Sequence, residues 1–160
     1  MSFSLSGNTI ALGTLSTSSV TSGNVTMTVG TNARNGFLSW VEGTSTTGGT
    51  GGGLHSATAN ADIPSTGSFD GATSDLSSTT GVVLDADSGT NTPTINAEYD
   101  GNTTSKGGHF DGALFHQMAY LSGAQSGTTV VINIRSKIAS TQAAATDYSD
   151  ILTITAAGSF

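Results

Sequence analysis

The feature that most limits the fold of this chain is the spacing of its apolar residues. Short runs alternate apolar and polar with a period of two, and Gly, Ser and Asn separate one run from the next. Residues 24–29 (Asn-Val-Thr-Met-Thr-Val) put Val25, Met27 and Val29 on one face and the polar residues on the other. A β-strand sends successive side chains to opposite faces, so this pattern suits a strand with one buried side. Residues 9–15 bring Ile10 and Leu12 together in the same way. Further strand-like runs, rich in β-branched and aromatic residues and bounded by turn residues, cover 36–41, 81–84, 94–99, 113–121, 129–138 and 150–155. An apolar i, i+3, i+4, i+7 pattern of useful length occurs nowhere; residues 140–145 and the stretch around 65–77 offer a helical turn or two at most. A parallel sheet would need crossover helices, which the pattern does not supply. The expectation is therefore a single all-β domain over residues 1–160, an antiparallel β-sandwich of Greek-key or jelly-roll type with about 7–9 strands.

Residues 43–81 interrupt the rhythm with a Gly/Ser/Thr-rich insertion, expected to be flexible or irregular, that opens on the glycine-rich run 43–53. A long loop inside a compact domain is either functional or loosely ordered. From Asp62 to Asp111 the chain carries eight of its eleven acids and one base, Lys106. That stretch reads either as a solvated surface with dispersed charge or as a binding or calcium-stabilised face. No fixed-period repeat is present, which argues against a regular threonine-lined solenoid.

Charge and composition remove several classes of function. Arg34, Lys106, Arg135 and Lys137 are the only four basic residues, and the net charge is −7. Displacing phosphate counterions takes a cationic footprint that four scattered positives cannot build, so no nucleic-acid partner is expected. An anionic membrane surface is disfavoured on the same ground, and no apolar run approaches the roughly 20 residues of a membrane span. With no cysteine there is neither a disulfide framework nor a thiolate metal site. Few lysines and many hydroxyl residues suit an extracellular or cell-surface protein, because small hydroxyls hydrate strand faces without long, entropy-rich side chains. The N-terminal Met1-Ser2-Phe3-Ser4-Leu5 lacks the basic start and apolar core of a signal peptide and reads like strand sequence, so a leader is expected to have been removed upstream.

The residues that could carry chemistry are few. His109 and His116 stand seven apart with Asp111 between them, in no tight metal-ligand spacing, and His116 is expected on the solvent side of its strand. With 50 Ser and Thr in the chain a hydroxyl nucleophile is always at hand, so its presence says nothing, and G-x-S-x-G does not occur. Glu42 and Glu98, the only glutamates, lack the aromatic surroundings that grip a sugar. No enzyme is expected, and no catalytic residue is assigned. Calcium is the most defensible ligand: in residues 85–91 (Asp-Ala-Asp-Ser-Gly-Thr-Asn), Asp85, Asp87 and Asn91 offer the oxygen donors a hard cation wants. Gly89 stands where a third ligand is usual, and Asn96 where a bidentate Glu would follow; the alternative is a set of acidic turns without metal. Phe37, Trp40, Phe110, Phe115 and Tyr120 are expected in the core, with Trp40 also a candidate ligand contact. Tyr148 is expected to tether the corner before the last strand through its hydroxyl.

Two stretches carry a resemblance. Residues 5–17 (Leu-Ser-Gly-Asn-Thr-Ile-Ala-Leu-Gly-Thr-Leu-Ser-Thr), with residues 25–37 after them, resemble the opening of secreted bacterial surface β-sandwich proteins. Residues 143–155 (Ala-Ala-Ala-Thr-Asp-Tyr-Ser-Asp-Ile-Leu-Thr-Ile-Thr) resemble the closing strand A-G-x-Y-x-D-x-[LIV]-T-[LIV]-T of spore-coat-U-like and camelysin/TasA-like fibre and matrix subunits, with Thr146-Asp147 in place of Ala-Gly. The likeness covers about the first 40 and last 35 residues only. It implies subunits that polymerise by donor-strand exchange, in which one copy's N-terminal strand completes the sheet of the next; open edges and an apolar groove make that physically workable. In this chain the candidate strand is Met1 to Leu5, with Phe3 and Leu5 on one face, and residues 151–155 are the edge it would join; the alternative is that Met1 to Leu5 pairs within its own subunit. The expectation is a non-catalytic structural subunit of a surface fibre, matrix or surface layer that self-associates into a homopolymer. The rival is a cell-surface module binding a glycan or a partner cell, stabilised by calcium.

Overall fold

The structure, a computed structural model, describes residues 1–44 and 52–160. Twelve strands are present among them: β1 (Ser2–Leu5), β2 (Thr21–Thr31), β3 (Phe37–Glu42), β4 (Gly53–Ser56), β5 (Ala61–Pro64), β6 (Ser74–Asp75), β7 (Gly81–Ser88), β8 (Thr94–Ile95), β9 (Lys106–Gly107), β10 (His116–Leu121), β11 (Gln125–Lys137) and β12 (Thr153–Gly158). Two four-stranded sheets, β1-β2-β11-β7 and β12-β3-β10-β8, form the layers of an all-β sandwich, and every strand pair is antiparallel. The small pairs β4-β5 and β6-β9 bring the strand number above the expected 7–9.

The first layer is built on β11, which pairs with β2 on one side and β7 on the other. Its inward Val130, Ile132 and Ile134 meet Val25, Met27 and Val29 of β2 and Leu84 and Ala86 of β7 in one buried cluster, closed from the second layer by Phe37, Val41, Met118 and Ala119. The period-two alternation in β2 and β11 thus maps directly onto inside and outside, and each fully buried large side chain contributes about 1.5–3 kcal/mol. Where the β11–β2 ladder slips between Gln125 and Thr128, Gly127 takes a φ of +67°, the left-handed conformation that a bulge of this kind asks of glycine.

Residues 9–15 do not form a strand. β1 covers only Met27–Gly30 of β2, and Ile10 and Ala11 run close beside Gly23 further along without joining a ladder; Ile10, Leu12 and Leu15 pack against the core from this irregular segment. Much of the insertion 43–81 is ordered strand and turn: β4 and β5 make a hairpin, and β6 pairs with β9. Residues 45–51 of its glycine-rich run lie outside the described residues. Phe37 and Phe110 are buried as expected, whereas Phe115 and Tyr120 are exposed and Trp40 is half-buried on the outer face of its sheet. Tyr148 does tether the corner: its hydroxyl donates to the Ala143 carbonyl at 2.8 Å and accepts from Gln142 Nε2 at 2.7 Å.

Candidate functional site

The two strands at the same side of the sandwich, β1 in one layer and β12 in the other, are its least finished part. β1 pairs with β2 in the register Phe3↔Val29 and Leu5↔Met27. Directly opposed residues share a sheet face, so Phe3 and Leu5 point to the core side along with Val29 and Met27. Yet Val29 and Met27 are buried while Phe3 remains 42% and Leu5 37% exposed, with Met1 more open still. Within one chain β1 therefore completes its own sheet on β2, the pairing that the alternative to strand exchange expects. On the other layer, Ile154 and Ala156 of β12 face inward opposite Val41 and Ser39 and stay half-buried.

Leu5 and Ile154 line one apolar groove of about 850 Å³, floored by Val25 and Ile134 and flanked by the irregular segments that carry Leu12 and Leu152. Among the described residues no other backbone group bonds to the outer edges of β1 and β12. The opposite side differs. The outer edge of β7 is sealed by Thr66, Gly108 and Tyr99: Leu84 and Gly108 exchange a pair of backbone bonds at 3.0 and 2.7 Å, Ala86 N donates to Tyr99 O at 2.8 Å, and Thr66 N donates to Val82 O at 2.9 Å.

Asp85, Asp87 and Asn91 do not meet at one point. Asp85 is fully buried. It accepts from Arg135 Nη1 at 2.8 Å, from Gly101 N at 2.7 Å and from Asn133 Nδ2 at 3.0 Å. Burial raises its carboxyl above the ordinary range, while the Arg135 guanidinium and the Gly101 N–H pull it back. Asp87 shares Asn133 Nδ2 at 2.8 Å. Asn91, at φ +64°, spends its amide on Ser126 O and Thr128 Oγ1. Thr128 lies five residues along β11 from Asn133, on the order of 17 Å at the rise of a strand. The spacing in sequence suggests one loop site; the structure brings Asp85 and Asp87 together on Asn133 and leaves Asn91 apart from them.

The histidines fall in two places. His55 Nδ1 sits 2.6 Å from Asp62 Oδ1 across the β4–β5 hairpin. His116 is not on the solvent side of its strand: with a 20% exposed side chain, it stacks on the Phe69 ring at 3.3 Å between centroids and 7° between planes. His109 meets the same ring edge-on at 4.7 Å, and Asp111 Oδ1 lies 3.9 Å from His116 Nε2. Glu98 is buried nearby, its carboxyl raised to about 7 by burial and by the charge of Asp70. Sequence reasoning missed Phe69 and Glu98 as members of this cluster, because the long loops that converge here carry no periodicity to align them. Among the described residues no three His, Cys, Asp or Glu side chains are grouped to hold a metal ion.

Trp40 stands on the outer face of the second sheet between Gln117 of β10 and Thr155 of β12, and Tyr120, 43% exposed, faces Leu38 one step along. The chain matches no protein-family model, and no curated protein or solved structure is significantly similar to it.

Proposed function

We propose that this chain is a non-catalytic structural subunit of an extracellular fibre, matrix or surface layer, joined copy to copy through the β1/β12 side. One observation carries the reading: core-facing Phe3 and Leu5 on an edge strand remain accessible, and Leu5 lines an apolar groove that reaches Ile154 of β12, whose outer edge is unpaired among the described residues. An edge strand left bare is a template for pairing with another chain, and alternate apolar side chains fill a groove as the backbones join. The sealed edge of β7 supports the same reading, since within the first layer it leaves β1 as the edge for growth. The likeness of both chain ends to fibre and matrix subunits agrees with it. Light scattering after size exclusion tests the proposal: the full chain gives a mass that rises with concentration, and removal of residues 1–6 holds it at a monomer. A full chain that stays monomeric at every concentration refutes it.

A second reading, a cell-surface module that binds a glycan, is favoured by Trp40 and Tyr120 on one outer sheet face with the Gln117 amide and the Thr155 hydroxyl beside them. Aromatic faces with flanking hydrogen-bond groups are what a sugar ring stacks on. It predicts a monomer whose saturable binding to a glycan array is lost in Trp40→Ala.

A further inference from the structure

A separate device lies on the other side of the molecule, in the loop between β5 and β6. Gly67 and Gly71 both have positive φ, +111° and +79°, and bracket Ser68, Phe69 and Asp70. The hydrogen bonds of residues 68–72 stay inside the segment: Ser68 Oγ donates to Asp70 Oδ2, Ala72 N to Asp70 Oδ1 and Asp70 N to Ser68 O. What fastens the segment to the body is the Phe69 ring, stacked on His116 and edge-on to His109. Beneath it are three buried polar atoms without a partner, His109 Nδ1, His116 Nε2 and Glu98 Oε1.

We propose that residues 67–71 form a flap, hinged at Gly67 and Gly71 and latched by Phe69 on His109 and His116, that opens as the two imidazoles take up protons. The physical reason is hydration. A neutral imidazole tolerates a ring stacked over it, but an imidazolium nitrogen buried without an acceptor pays heavily for its lost water. The ionisable groups facing the pair are each imidazole to the other and Asp111 beside both; Glu98 and Asp70 lie next to them. Asp111 favours the charged form, yet burial outweighs it and holds both histidines below their ordinary 6.5.

The signs follow. Both imidazoles bind protons more weakly under the closed flap, so opening takes up protons and is favoured as pH falls below about 6.5. Glu98 opposes this: held at about 7 under the flap against an ordinary 4.5, it releases a proton on opening throughout that interval. The imidazoles act unopposed once Glu98 is neutralised, so in Glu98→Gln opening takes up as many as two protons, up to about a hundredfold more opening per pH unit below 6.5.

Amide hydrogen exchange of residues 67–73, corrected for the intrinsic effect of pH, tests this alongside NMR titration of the histidine rings. Both imidazoles should titrate below 6.5. Glu98→Gln removes the opposing proton, and its flap exchange should rise on acidification more steeply than that of the parent chain, by up to about a hundredfold per pH unit. Adding His116→Gln to Glu98→Gln should flatten that rise, and Phe69→Ala should give fast exchange that no longer responds to pH. Flap exchange in Glu98→Gln that is equal at pH 7.5 and pH 5, or a slope no steeper than the parent chain's, overturns the proposal. Neither result touches the β1/β12 side, so the assembly reading stands or falls separately.

Discussion

The two edge strands of the first layer, β7 and β1, are treated in opposite ways. At β7 the loops fold back and bond the free edge, and the buried Arg135–Asp85 pair ties β11 to β7 and, through the Gly101 N–H, to the covering loop. At β1 and β12 nothing comparable is present among the described residues: the apolar side chains point the right way but stop short of burial. A lone folded chain is best served by sealing every edge, since open edges invite pairing. The contrast teaches that burial is not uniform along one sheet. The same inward face is fully dry on β11 and half wet on β1, and the difference marks where a partner would add free energy.

The comparison can be broken at several strengths. The largest effect is expected on the sealed side, where Arg135→Ala strands a buried Asp85 carboxylate and should lower unfolding free energy by about 3–5 kcal/mol in denaturant titration. Cross-strand neighbours give the next test. Met27→Ala should cost about 2–5 kcal/mol, whereas Leu5→Ala, directly opposite on β1, should cost about 1 kcal/mol or less and act mainly on assembly. Equal losses at the two positions would erase the distinction between dry and wet halves of the face.

A smaller effect is a pH dependence at the groove. Asp150 lines it, its Oδ1 accepts from Thr44 N and Ile151 N, and burial lifts its carboxyl from an ordinary 3.8 to about 6. Between those values the folded chain holds a proton that the unfolded chain has released. This group therefore lowers stability as pH rises from about 4 to about 6. Asp150→Asn keeps an acceptor for both N–H groups and should flatten the melting temperature across that window. The smallest expected change is with calcium: Asp85 is already taken by Arg135, Gly101 and Asn133, so calcium and a chelator should give the same melting temperature.

The sequence made the central strands legible because their alternation is the physical signal of a half-buried sheet. Val25, Met27, Val29, Val130, Ile132 and Ile134 all fall inside. Residues 9–15 carry the same alternation but no strand: Ile10, Leu12 and Leu15 reach the core from an irregular backbone, because pattern reports which side chains want burial and not whether the backbone joins a ladder. Likewise Asp85, Asp87 and Asn91 look like one loop in sequence, but Asp85 and Asp87 lie on strand β7 and share the Asn133 amide, while Asn91 lies beyond its end and bonds Ser126 and Thr128. Exposed Tyr120 and Phe115 were expected in the core because an aromatic residue in a strand reads alike on either face. Phe3 and Leu5 were legible as a pair on one face; their half-burial depends on what stands opposite, which no local pattern encodes.

The most direct test of the central claim is amide hydrogen exchange read by mass spectrometry at low and high protein concentration. Assembly through the open side predicts that protection gained on concentration is confined to residues 2–5 and 153–158, with β7 unchanged. Protection gained elsewhere, or none at a concentration where the mass has risen, would contradict it.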